Sequence, residues 1–299
     1  MGLGVLWRFS RPHTIVGTAL SVLGLYVIAV ASIPALAAGE GAGDLAWTLL
    51  AAFCVNVFIV GLNQLEDVEI DRVNKPHLPI AAGDLSIPGA RAIVSVAAAI
   101  PLLLAITQGA LELAAVGFAM AVGAEYSSPP LRLKRRPVVA ALAITGVRAV
   151  VVNLGVYGHF ALSLGGDLAI PGAVWALTLF VLPFSFAIAV LKDVPDIEGD
   201  RRFGISTFSV RLGPERVHAI GVAALTVAYL GMAIGGPLLV DDANPIVLAA
   251  GQLALLPVVW RWASTVDVHD RAAFTRFYMG VWGLFFAEYL LVPAAVLSA

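Results

Sequence analysis

The sequence predicts an all-helical, polytopic membrane protein, on three observations. Hydrophobic residues fill 60% of the 299 positions and charged residues only 13%, about half the ~25% usual in soluble domains. The apolar residues gather into nine runs, each near the ~17–25 residues that carry a helix across a bilayer. Lys and Arg fall almost entirely in alternate connections between those runs. The runs are too long and too unbroken for barrel strands, and hydrocarbon admits only helices or closed barrels. The net charge of −2 points to no class of partner, and nothing in its distribution supports nucleic-acid binding.

Taken in order, the first run covers 14–33 and follows Arg8 and Arg11. Its basic flank and the downstream Ala35-Leu36-Ala37 resemble a cleaved leader. The run is longer than the ~7–15-residue core of a signal peptide, so it is read as a spanning helix. The second run covers 46–66, and Arg72, Lys75 and Arg91 follow it. The third, 90–107, and the fourth, 110–128, are separated by a Thr107-Gln108-Gly109 turn. Arg132, Lys134, Arg135 and Arg136 lead into the fifth, 138–160. The sixth, 170–191, is followed by Lys192, Arg201, Arg202, Arg211 and Arg216. The seventh, 216–238, and eighth, 244–263, precede Arg261, Arg271 and Arg276, and the ninth covers 275–297.

The intervening connections 33–45, 107–110, 160–169 and 239–243 hold no Lys or Arg, although they carry Glu40, Asp44, Asp167, Asp241 and Asp242. Of the 18 basic residues, only Arg148 departs from this pattern. The positive-inside rule then places the N-terminus and the basic connections in the cytoplasm, and the C-terminus on the opposite side. Trp47 and Tyr157 fit aromatic belts at the two interfaces. The single cysteine, Cys54, lies in an apolar run and allows no intramolecular disulfide; it reads as core packing.

Two acid clusters stand out against this background. One reads N-Q-L-E-D-V-E-I-D from Asn63 to Asp71, the other K-D-V-P-D-I-E-G-D from Lys192 to Asp200. Carboxylates beside hydrocarbon are expensive and point to function. On one helix, Asn63, Asp67 and Asp71 (i, i+4, i+8) share a face, as do Asp193, Asp196 and Asp200 (i, i+3, i+7). Asp67 pairs with Asp196 and Asp71 with Asp200 at one common offset. This suggests a single transmembrane domain of two four-helix halves, about 1–136 and 137–270, plus a ninth helix. Oxygen-rich clusters of this kind suit Mg²⁺, which binds a few carboxylates, waters and substrate phosphates. The bases nearby, Arg72, Lys75, Lys134, Lys192 and Arg201, suit the phosphates. The expected chemistry is ionisation of an allylic diphosphate, with a greasy cavity shielding the cation from water. The plainer reading, solvated loop charges obeying the inside rule, does not account for two register-matched sets of Asp.

The motif N-Q-x-x-D-x-x-x-D followed by N-K-P-x-L-P-x-A-x-G (Asn74 to Gly83) resembles the UbiA superfamily of intramembrane prenyltransferases. So does K-D-x-x-D-x-E-G-D followed by R-x-F-G-I-x-T-F-S-V-R-L-G (Arg201 to Gly213). Within it, Phe9 to Thr14, Asn63 to Gly83, Tyr126 to Phe160 and Lys192 to Gly213 look most like homogentisate prenyltransferases. The resemblance implies nine transmembrane helices around a central cavity open laterally to lipid. It also implies Mg²⁺-dependent transfer of a prenyl group from a prenyl diphosphate to an aromatic acceptor such as homogentisate. Carried over by position, Asn63, Asp67, Asp71, Asp196 and Asp200 match metal–diphosphate positions, and Lys192 and Asp193 open the second motif. Arg72, Lys75 and Arg201 match diphosphate-contacting bases. Tyr126 matches a tyrosine lining the reaction chamber, where its π face would stabilise a carbocation. Many superfamily members carry a Tyr four residues before the second-motif Lys; here that position is Ile188.

Arg148 is a base well inside a span, suited either to an acceptor's carboxylate or to a structural pair with Glu125 or Glu288. On an α-helix, Asn153 lies roughly 140° from it, so the two need share no partner. Arg11 and His13 fall near the expected cavity mouth and are candidate acceptor contacts; an interfacial role for His13 is the alternative. Glu125 reads as a structural hydrogen-bonding group, His159 as free of chemistry, and Pro195 as a point where the second motif unwinds toward the cavity. Three functions compete. The first is the aromatic prenyltransferase. The second is a terpene cyclase on the same scaffold, which would leave Arg148 without purpose. The third is a transporter, whose ion sites would sit nearer midplane on broken helices. No obligate protein partner is expected.

Overall fold

The computed structural model describes residues 2–33 and 41–299. Ala35-Leu36-Ala37 and Glu40 lie outside the described residues. Among those described, nine helices are long and apolar enough to cross a membrane. Span 1 is Pro12–Ser32, span 2 Ala42–Glu66, span 3 Ile87–Gln108, span 4 Ala110–Ser127 and span 5 Pro137–Ser163. Span 6 is Gly172–Arg202, span 7 Pro214–Leu239, span 8 Pro245–Thr265 and span 9 Arg271–Leu297. Each begins or ends within a few residues of its apolar run, except that span 6 continues through the second acid cluster. Local signals set the boundaries. Proline occupies the first turn of spans 1, 3, 5, 7 and 8, where its missing N–H costs nothing. Ser86, Asn244 and Asp270 cap spans 3, 8 and 9 through their side chains.

Span 6 is the most buried of the nine. Leu177, Val181 and Phe184 on it join Leu225 and Tyr229 of span 7 and Phe285 of span 9 in the main apolar core. A second cluster packs Phe9 against Ile80, Leu85 and Val94 at the N-terminal end of span 3. Small residues permit the close crossings that hold helices together in lipid. A Cβ on Gly24 of span 1 would lie 2.8 Å from the Tyr289 carbonyl oxygen of span 9.

Two departures from the expected helices bear on the site. First, neither acid cluster lies on one continuous α-helix. Span 2 stops at Glu66, Asp67 takes φ −115°, ψ 19°, and a short helix Val68–Asn74 restarts from it. The regular part of span 6 ends at Leu191, passes through a 3₁₀ turn Val194–Asp196 containing Pro195, and restarts as Ile197–Arg202. Asp196 there takes φ −102°, ψ 1°. Asp67 and Asp196 thus occupy the same position, the N-cap of a short helix following a span, in the same sparsely populated backbone region where functional residues collect. Second, Val147–Val156 within span 5 is wound as a π-helix. That i→i+5 winding cancels the α-helical angle expected between Arg148 and Asn153.

Candidate active site

Spans 1, 2, 4, 5, 6 and 9 line a cavity of about 900 Å³ that extends to the helix ends carrying the two acid clusters. Of the candidate residues, Arg11, His13, Asn63, Asp67, Asp71, Lys75 and Tyr126 line it, as do Lys134, Arg148, Lys192, Asp193, Asp196 and Asp200. Arg72 and Arg201 do not. Both are exposed, and Arg72 pairs with Glu69 instead. Each follows an inward-facing Asp on a short helix, and one residue's advance of about 100° turns it toward solvent.

The four central acids are buried, and each carries a different set of contacts. Asp67 is clamped by Lys134 and by Arg132 at 3.0 Å, and it accepts from Asn63 Nδ2 at 2.9 Å. Asn63 in turn accepts from Arg11 at 3.3 Å. Asp196 is paired with Lys75, which comes from the loop after the first cluster. Asp200 accepts from Asn74 Nδ2 at 3.3 Å, while Asn74 Oδ1 accepts from the Gly199 N–H at 3.0 Å. A Cβ on Gly199 would overlap that amide, so glycine is what lets the two motifs dock. The Arg271 guanidinium donates to the Asn74 carbonyl and ties span 9 to the same junction. Lys192 bridges Asp193 at 2.7 Å and the Tyr126 hydroxyl at 3.1 Å.

Asp71 is the exception. It is buried, its Oδ2 has no hydrogen-bond partner, and it forms no ion pair among the described residues. Burial pushes its carboxyl up to about 6, against the pull of Lys75 and Arg11. Burial also pulls the Lys134 ammonium down, with Asp67 opposing. Among the described residues, no three acid, His or Cys side chains are gathered closely enough to enclose a cation alone. Mg²⁺ does not require such a cage, because it is generally held by one or two carboxylates together with substrate phosphates. An unpartnered buried carboxylate oxygen amid three further buried acids fits that donor set.

Deeper in the cavity, Arg148 stacks over Trp282 at 4.7 Å and Phe285 at 5.4 Å from the ring centroids. Its Nη1 is buried without a hydrogen-bond partner. Neither acid expected to pair with it does so. Glu288 accepts from Gln252 at 2.9 Å and 3.0 Å, and Glu125 is exposed at the end of span 4. Tyr289 donates to Asn153 at 2.6 Å and also lies within electrostatic range of Arg148, so the two residues do share a neighbour. His13 meets Trp282 edge-on at 5.0 Å.

Arg132, Asn74 and Arg271 were not singled out by the sequence. Asn74 and Arg132 lie inside quoted motifs, a usable signal. Arg271 reaches Asn74 across 197 positions, which no local pattern reveals.

The UbiA prenyltransferase family profile matches residues 15–287. The homogentisate phytyltransferase of Synechocystis sp. is 43% identical over 97% of this chain and 94% of its own length. The homogentisate geranylgeranyltransferase of Triticum aestivum is 38% identical over 97% of this chain and 72% of its own. The homogentisate solanesyltransferase of Arabidopsis thaliana is 38% identical, with coverages of 96% and 75%. Among solved structures, a UbiA homolog from Archaeoglobus fulgidus bound to GPP and Mg²⁺ superposes with TM-score 0.59 at 19% identity, covering 97% of this chain and 99% of that one. The apo UbiA homolog of Aeropyrum pernix K1 gives TM-score 0.64 at 18% identity, with coverages of 96% and 98%. These two likenesses speak for the fold.

Proposed function

Because the chain belongs to the UbiA prenyltransferase family, we infer that its cavity is the reaction chamber of an integral membrane prenyltransferase. It transfers a prenyl group from an allylic prenyl diphosphate to homogentisate. The relatives above are named for transfer to an acceptor, which disfavours the cyclase reading.

The observation that carries the site assignment is the interlock of the two acid clusters across one cavity, through Lys75 with Asp196 and Asn74 with Asp200. In this reading Asp67, Asp71, Asp196 and Asp200, with Asn63 and Asp193 beside them, hold Mg²⁺. When bound, Mg²⁺ neutralises the departing diphosphate. Lys75, Lys134 and Lys192 supply further positive charge at the leaving group, and Arg11 steadies Asn63. Tyr126, its hydroxyl fixed by Lys192, presents a π face to the allylic cation. Arg148 has no anionic partner among the described residues and anchors the acceptor's carboxylate, with His13 and Trp282 as walls. As the allylic C–O bond to diphosphate breaks, the electron-rich ring carbon attacks the cation in a chamber from which water is kept out, and the ring regains aromaticity by releasing the proton of that carbon.

The equivalent backbone of Asp67 and Asp196 supports two four-helix halves, about 1–136 and 137–270, with a ninth helix closing the ring. The distribution of Lys and Arg supports a cytoplasmic N-terminus and site, and a C-terminus on the opposite side.

The test is incubation of lipid-reconstituted protein with Mg²⁺, homogentisate and prenyl diphosphates, with products read by mass spectrometry. A prenylated product that needs homogentisate is expected. Hydrocarbon formed without acceptor would overturn the assignment.

A further inference from the structure

The cavity has a second polar end, far from the acids. Spans 2 and 4 run parallel. Ile59 fills the space where a Gly123 Cβ would be, Asn63 reaches Ser127 at 3.4 Å, and Ser128 reaches Glu66 at 3.3 Å. The same register sets Thr48 level with Glu112. Both line the cavity and are only 2% and 4% exposed. Thr48 Oγ1 has no hydrogen-bond partner, and Glu112 forms no ion pair among the described residues.

Between this end and the acids these two spans line the cavity mainly with apolar side chains, Ala52, Val55 and Ile59 from one and Ala115, Val116 and Ala119 from the other, and the amide of Asn56 is tied to the Ser10 carbonyl. At a rise of ~1.5 Å per residue, Thr48 lies roughly 22 Å along span 2 from Asn63. That exceeds the ~15 Å of one hydrocarbon leaflet, enough for a main chain of ordinary acyl length.

Building on the prenyltransferase reading, we propose that Thr48 and Glu112 form the floor of the prenyl-tail chamber and set the longest tail accepted. Tails of geranylgeranyl or phytyl length end against this floor. A longer tail has to press hydrocarbon onto a buried carboxyl and hydroxyl, which excludes water from both.

The experiment compares kcat/KM for farnesyl, geranylgeranyl and geranylfarnesyl diphosphates, with homogentisate and Mg²⁺, in wild type, Glu112→Ala and Ala52→Leu. Opening the floor with Glu112→Ala raises the geranylfarnesyl to geranylgeranyl ratio by about tenfold or more, the scale on which apolar pockets sense added hydrocarbon. Narrowing the chamber above the floor with Ala52→Leu shifts preference the other way, toward farnesyl. Unchanged ratios in both variants, at wild-type thermal stability, overturn the proposal. Should Glu112→Ala fail to fold, the Ala52→Leu ratio decides alone. A wild-type protein that consumes no prenyl diphosphate overturns the functional reading itself, a result distinct from unchanged ratios.

Discussion

At the scale of single residues, the acids are not equivalent targets. Asp67 neutralises buried Lys134, and Asp196 neutralises Lys75. Replacing either by Ala strands a cation, and breaking a buried pair costs ~3–5 kcal/mol. Asp67→Ala is therefore expected to lower both turnover and the unfolding temperature. Asp71 has no such partner, so Asp71→Asn should leave thermal stability at or above wild type while cutting kcat by about 10²–10³, the usual cost of losing one preorganised charge-stabilising group. A fully active Asp71→Asn would remove it from the metal site. Arg148 was legible in the sequence as a base out of place, but its surroundings were not. Its neighbours are rings rather than carboxylates, and stacking leaves no trace in charge patterning. Arg148→Ala is expected to raise the acceptor KM about 10–100-fold, the worth of a charged hydrogen bond, with little change in KM for the diphosphate. Equal effects on both substrates would point to a structural role.

At the scale of elements, hydropathy located all nine spans because it reports burial in lipid, which is what makes those segments helical. It was blind to how the helices are wound. Nothing in V-R-A-V-V-V-N-L-G distinguishes π from α winding, and the segment packs against spans 4 and 6. The breaks at Asp67 and Asp196 were half legible: Pro195 announced the second, and no proline announces the first. The Asn74 amide joins the two short helices at their closest approach. Asn74→Ala should therefore lower kcat and loosen the junction together, seen as faster hydrogen exchange at residues 68–75 and 197–202 while the spans stay protected. Unaltered exchange there would mean that other contacts hold the motifs. Gly24→Ala sets a methyl against a backbone carbonyl and is expected to cost about 1–3 kcal/mol as overpacking, measured by thermal unfolding in detergent.

At the scale of the whole molecule, the sequence revealed the membrane class and both acid clusters, because each is a strong departure from background composition. It did not reveal which residues face each other, since Lys75 with Asp196 and Arg271 with Asn74 are joined only when the ring of helices closes. Topology is the prediction that belongs here. Reporter fusions at residue 213 and at the C-terminus should read opposite sides of the membrane, the former cytoplasmic. The same side for both would overturn the nine-span count.

The paired lysines also bear on how the enzyme rests between cycles. With Lys134 on Asp67 and Lys75 on Asp196, the chamber holds placeholders for its own ligands, and much of its charge is balanced before anything arrives. On the proposed site assignment, substrate entry is an exchange of partners and the departure of pyrophosphate its reversal. If the lysines return to Asp67 and Asp196 as pyrophosphate leaves, weakening either pair should slow release more than capture, which rapid-quench kinetics would read.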